Sequence, residues 1–236
     1  MVSVAAWLRE RGRDGVFWPR QLVVLLPGRL WRLRRRADGP SAARAMMPAA
    51  LFHAHAWLAR LFDLAGGLEL LQIWLRLLAR TAPLTTEERA VVGAVLGEFA
   101  LRYDEVRVAT GGWLRVAFRA NGRRAFAIGH TIFLPEERRS DLSLLLHELV
   151  HTCQYERLGS RYIGEALYAQ RRLGRGCYDY GGAEGLAQAM AAGWLYASFN
   201  REAQAQIVQD YWRRLDAGKN VTVYETFVAA ARRGAF

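Results

Sequence analysis

The stretch SDLSLLLHELVHTCQ, residues 140–154, decides how the rest of the chain is read. Ser140-Asp141 is a helix-capping signal, and the apolar run that follows contains no turn-former, so a helix is predicted from there. On that helix His147 and His151 stand one turn apart on the same face, so both imidazoles can reach a single ion. Glu148 sits one residue on from His147, turned toward an open coordination position. There it can take a proton from a metal-activated water. Leu142, Leu144, Leu145, Leu146, Leu149 and Val150 make the surroundings apolar. A buried His-Glu-His group without a partner would be costly, and a zinc ion is the partner that satisfies all three.

Such a site needs a third protein ligand. The chain has no histidine after His151; His53, His55 and His130 all lie upstream. A downstream carboxylate is therefore the economical choice, which makes the expected centre gluzincin-like. Two carboxylates share an E-x-x-A pattern on predicted helices, Glu184 and Glu202. Glu202 is preferred because Asp210 follows eight residues later on the same helix and could steady the ligand shell. Glu184 stays open as the alternative.

Outward from the motif, Thr85-Thr86-Glu87-Glu88 predicts a capped helix running to about Arg102. Strand-like alternation over Glu105–Ala109, Leu114–Ala120 and Phe126–Leu134 follows, with Asn121-Gly122 as a hairpin turn. His130 falls on the last of these, where a neighbouring edge strand could hold an extended substrate by backbone pairing. Helices are predicted at Ser160–Leu173, Ala183–Ser198, Arg201–Leu215 and Val223–Arg233, with Gly174–Gly182 as a loop. Within that loop Tyr178 and Tyr180 could offer a hydroxyl to an oxyanion, although packing is the commoner role of such tyrosines.

Before the motif domain, Ser41–Arg80 is rich in Ala, Leu and Trp at helical spacing, and Gly66-Gly67 divides it into two antiparallel helices. Met46, Met47, Trp57, Phe62 and Trp74 are expected as helix-packing core. Ser3–Arg13 and Pro19–Arg36 read as short arginine-rich helices. The expected fold is α+β and mainly helical: a small antiparallel sheet beside the motif helix, with an N-terminal helical region. The expected division is an arginine-rich helical region over 1–82 and a zincin-like domain over 83–236.

The chain has 236 residues and a net charge of +11, with Lys219 as its only lysine. Residues 1–44 hold ten arginines against Glu10, Asp14 and Asp38, so 10 − 3 = +7 of the charge lies there. Arg29, Arg32, Arg34, Arg35 and Arg36 alternate with Leu30, Trp31 and Leu33. That pattern suits an anionic membrane surface or a docking partner better than nucleic acid, which is not expected as a partner. Cys153 and Cys177 are too few for a disulfide framework, although one bridge is allowed, and Cys153 is expected in the core. No stretch is apolar for ~18 residues, and charges from Arg9 to Asp14 interrupt any secretion signal. The expected location is cytoplasmic, with membrane association as the alternative.

HELVHTCQYERLG (147–159), preceded by IGHTIFLP (128–135), resembles the core-domain group of extracellular contractile injection systems, closest to Vgr-related bacterial proteins. FNREAQAQIVQDY (199–211) resembles a later segment of the same group. The resemblance runs from Thr85 to Leu215 and implies zinc bound by His147, His151 and Glu202, with Glu148 as catalytic base. It implies a zinc metallopeptidase acting on a peptide or protein substrate. Its alternatives are a non-catalytic, zinc-bearing module of a secretion or injection system, and a membrane-surface-binding protein.

Overall fold

A computed structural model describes residues 42–111, 116, 118–119 and 122–236. The two arginine-rich helices expected before Ser41 lie outside the described residues. The described chain is mainly helical around one small sheet, as the α+β expectation requires.

Helices α1 (Ala42–Met46), α2 (Ala49–Leu64) and α3 (Gly67–Leu77) come first, and α2 and α3 meet at Gly66, whose φ of 69° suits a residue without a Cβ. Strand β1 (Arg80–Ala82) follows, then α4 (Thr86–Leu96). Thr85 and Glu88 cap α4 reciprocally: the Thr85 hydroxyl accepts from the Glu88 backbone, and the Glu88 carboxylate accepts from the Thr85 backbone. The helix stops at Leu96, short of the expected Arg102, because Gly97 takes φ 92°.

Strands β2 (Arg107–Thr110), β3 (Phe126–Ile128) and β4 (Thr131–Phe133) complete a sheet of order β1-β2-β4-β3. The expected sheet was antiparallel, but this one is mixed: β2 runs parallel to β4, and the outer pairs are antiparallel. The cause lies in the connection. Val116, Phe118 and Arg119, expected in a strand, are helical, so the chain crosses over after β2 instead of turning straight back. The expected single strand Phe126–Leu134 is a hairpin, folded at Gly129 with φ 60°. A Cβ there would also push against the Gln72 side-chain oxygen that accepts from the His130 backbone, so a side chain at 129 would disturb that bond as well as the dihedral.

Helix α5 (Leu142–Leu158) carries the motif and is buried from Leu144 to Tyr155. Asp141 caps it by accepting from the Leu144 backbone at 2.9 Å, as its sequence position suggests. Helices α6 (Arg161–Leu173), α7 (Gly182–Ala191), α8 (Arg201–Asp216) and α9 (Thr222–Arg232) follow. The expected helix over Ala183–Ser198 ends early, because Gly193 turns with φ 73° before a short 3₁₀ turn at Tyr196–Ser198. α5 packs on α8 more extensively than on any other described element. Their apolar faces, with β2 and β4 and α9, make the main core around Leu145, Leu146, Leu149, Ile132, Ile207 and Phe227. Cys153 is in that core, and it and Cys177 are both buried free thiols.

One packing expectation fails. Met47 is buried, but Trp57, Phe62 and Trp74 are 55%, 44% and 57% exposed, and Met46 is only half-buried. Helices α2 and α3 turn other residues inward. Asp63 accepts from the Ser160 backbone, Glu69 from the Tyr155 hydroxyl and Gln72 from the His130 backbone, while Arg76 donates to Thr131.

Candidate metal centre

Helix α5 presents His147, Glu148 and His151 to the N-terminal turn of α8, which presents Glu202. Asn200 caps α8 by accepting from the Glu202 and Ala203 backbones, both at 3.0 Å, and this sets Glu202 in the first turn. Glu202 Oε2 lies 3.3 Å from His147 Nε2 and 3.5 Å from His151 Nε2. One ligand atom from each of the three residues lies within 4.8 Å of the others, and all three residues are buried. The structure thus brings together the preferred triad. Glu184 lies on the exposed side of α7, where Gln188 is its neighbour, and takes no part.

The electrostatics attract positive charge to this point. Burial alone would push the Glu202 carboxyl up, but the adjacent His151 and His147 outweigh it and hold the group well below the usual carboxylate range. Burial would pull His151 down, yet the Glu202 carboxylate and its hydrogen bond raise it to about 9. Glu148 behaves otherwise: burial raises it, against the pull of both histidines. Its Oε2 is buried without a hydrogen-bond partner, as is His147 Nδ1. Two nitrogens, one carboxylate and a second carboxylate with one unpaired oxygen are a donor set that would suit a zinc ion with one open position.

Residues that sequence reading missed hold the ligands. His151 Nδ1 lies 2.8 Å from Gln154 Oε1. The Gln154 amide nitrogen donates to the Arg201 carbonyl and to Gln204 Oε1, so only its oxygen can face the ring. When the ring is neutral, as a metal ligand must be, its remaining proton therefore sits on Nδ1 and Nε2 is the nitrogen that can ligate. Gln204 is itself fixed, donating to the Tyr196 and Phe199 carbonyls. Gln170 donates to Glu202 Oε1 at 2.9 Å. Asp210, expected to steady the ligand shell, instead accepts from Tyr180 and Gln206, too far along α8 to reach it. The spacing of Gln154 three residues past His151 was the available signal, since it shares the ring's face.

Replacing Gln154 by leucine keeps the volume and removes the hydrogen bonds. Zinc affinity, measured by competition with a chromophoric chelator, should weaken by roughly 10–100-fold. An unchanged affinity would refute the role given to Gln154.

A cavity of about 410 Å³ opens beside the triad, bounded by Ile128, Tyr162, Ile163, Leu167 and Tyr178. The Tyr178 ring is 5.9 Å from that of His147, whereas the Tyr180 hydroxyl is engaged with Asp210 and Tyr224 away from the site. His130 is buried against Glu156 at 2.7 Å and does not face the cavity. The sheet edge there is β3, and its Ala127 carbonyl already accepts from the Tyr162 hydroxyl.

A family model described as the eCIS core domain matches residues 84–159. The match associates this part of the chain, from α4 to the end of α5, with extracellular contractile injection systems. It includes His147, Glu148 and His151 and stops before Glu202, whereas the sequence resemblance extends to Leu215. No curated protein and no solved structure matches the chain.

Proposed function

We propose that the chain is a zinc-dependent metallopeptidase associated with an injection system. His147, His151 and Glu202 would hold the metal, and Glu148 would be the general base. One observation carries this reading: three donor atoms converge within 4.8 Å, and a buried carboxylate with an unpartnered oxygen stands beside them at the wall of a cavity. A site built only to bind metal has no use for that second carboxylate.

Zinc bound here would act as a Lewis acid and make water available as a nucleophile near neutral pH. The protein supplies the proton transfers. Glu148 accepts a proton from water as the oxygen adds to the amide carbon, and returns it to the amine nitrogen as the C–N bond breaks. Ile128, Ile163 and Leu167 would receive an apolar side chain of the peptide, and Tyr178, which lines the same cavity, would offer its hydroxyl to the carbonyl oxygen.

The purified protein should contain one zinc per chain by elemental analysis and should cleave a casein or mixed-peptide panel. Cleavage should stop with phenanthroline and return on adding zinc. Metal bound with no cleavage of any panel member would end the peptidase reading and leave a zinc-bearing interaction module.

A further inference from the structure

Helix α3 is inside out, and α2, which buries Phe52, Ala56, Ala59 and Asp63, still leaves large apolar side chains outside. The residues of α3 that face the protein are Leu68, Glu69, Gln72 and Arg76, three of them polar and hydrogen-bonded to the body beneath. Its outward face is Leu71, Trp74 and Leu77, at 37%, 57% and 52% exposure. α2 continues the same surface with Trp57, Leu58 and Leu61, each more than half exposed. A helix that uses its polar stripe for internal contacts and gives its apolar stripe to the outside reverses the usual arrangement. So large a contiguous apolar face marks a contact surface.

The charge around it is one-sided. Between residues 42 and 82 the only acids are Asp63 and Glu69, and both are buried. Arg44 and Arg80 are exposed, and Arg60 lies over the Trp57 ring at 5.3 Å. An exposed face of leucine and tryptophan, on a stretch from 42 to 82 whose exposed charged residues are arginines, matches an anionic lipid interface: apolar side chains enter the acyl boundary and guanidinium groups meet the headgroups. No described helix is long and apolar enough to cross a membrane.

We infer that the outward face of the α2–α3 hairpin docks the protein on an anionic bilayer surface, lying along it. The hairpin lies outside the matched residues 84–159 and uses none of the metal ligands, so it stands apart from the peptidase reading.

The test is co-sedimentation of the full-length protein with vesicles of phosphatidylcholine and phosphatidylglycerol. The wild type should pellet with them, less so at high salt, and should stay in solution with phosphatidylcholine alone. A Leu58→Glu/Leu71→Glu variant changes only exposed positions, so it should keep its melting temperature and zinc content. It should bind the anionic vesicles at least about tenfold more weakly. Equal binding by the variant would overturn the inference, since the arginine-rich segment alone would then suffice. So would a wild type that ignores vesicles but forms dimers that the variant does not, which would make a second copy the occupant.

Discussion

Glu148→Gln should leave one zinc per chain in place and lower peptide hydrolysis by roughly 10²–10⁴-fold. The two halves of that result have separate causes. The proposed ligand atoms belong to His147, His151 and Glu202, so an isosteric amide at 148 removes none of them. It does remove the group that accepts a proton, because an amide oxygen is far too weak a base. A third readout follows from burial. Glu148 is 4% exposed and its carboxyl is pushed above the usual range, chiefly by desolvation. A carboxyl whose folded value is raised costs stability when it is ionised, and the cost disappears as pH falls below the ordinary carboxylate range. With the metal chelated, the glutamine variant should therefore melt higher than wild type at neutral pH, and the gap should close in acid. Equal hydrolysis by the two proteins would remove Glu148 from the mechanism; loss of zinc would make it a ligand.

The parts of this site that the sequence announced are those fixed by local geometry. His147 and His151 share a helical face by spacing alone, and Asp141 and Asn200 cap their helices with short-range bonds that propensity foretells. Glu202 and Glu184 are told apart by the tertiary approach of α8 to α5, and Asp210, bonded to Tyr180 and Gln206, does not support the site. The support comes from Gln154, Gln170 and Gln204. Glutamines carry little sequence signal because they are common on solvated faces; the burial of Gln154 and Gln204, and the bond from half-buried Gln170 to Glu202, make these three structural.

The misread elements have a similar origin. Alternation continues from Phe126 through Leu134 although the chain reverses at Gly129, because both strands of the hairpin present one face to the same core. Alternation also failed at Val116, Phe118 and Arg119, where a short apolar pattern suits either a strand or one helical turn. Trp57 and Trp74 read as core because an apolar helical stripe normally faces inward. The polar stripe of α3 is buried instead because Glu69, Gln72 and Arg76 find long-range partners on Tyr155, His130 and Thr131.

Glu165→Ala should be among the most destabilising single changes in the described chain, although Glu165 touches no ligand atom. Its side chain is fully buried on α6 between two guanidinium groups. Arg201 Nε donates to Oε2 at 2.6 Å, and Arg161 Nε lies 2.7 Å from Oε1 in a contact that is not aligned as a hydrogen bond. The Arg201 side chain is 2% exposed, so truncating Glu165 strands a desolvated cation. Breaking a buried pair from one side costs about 3–5 kcal/mol, a large share of the ~5–15 kcal/mol that holds a typical protein together. The loss should appear as a lower midpoint in urea at unchanged slope. Because Arg201 precedes Glu202 on the first turn of α8, and its backbone carbonyl anchors Gln154, zinc affinity should fall in the same variant. Replacing both partners, Glu165→Leu with Arg201→Met, should cost less than the sum of the single changes, since no charge is then left buried beside an absent partner on α8. If Glu165→Ala shifts the midpoint no more than an ordinary surface substitution, within about 0.5 kcal/mol, then the Arg201 pair does not anchor the helix that brings Glu202 to the histidines.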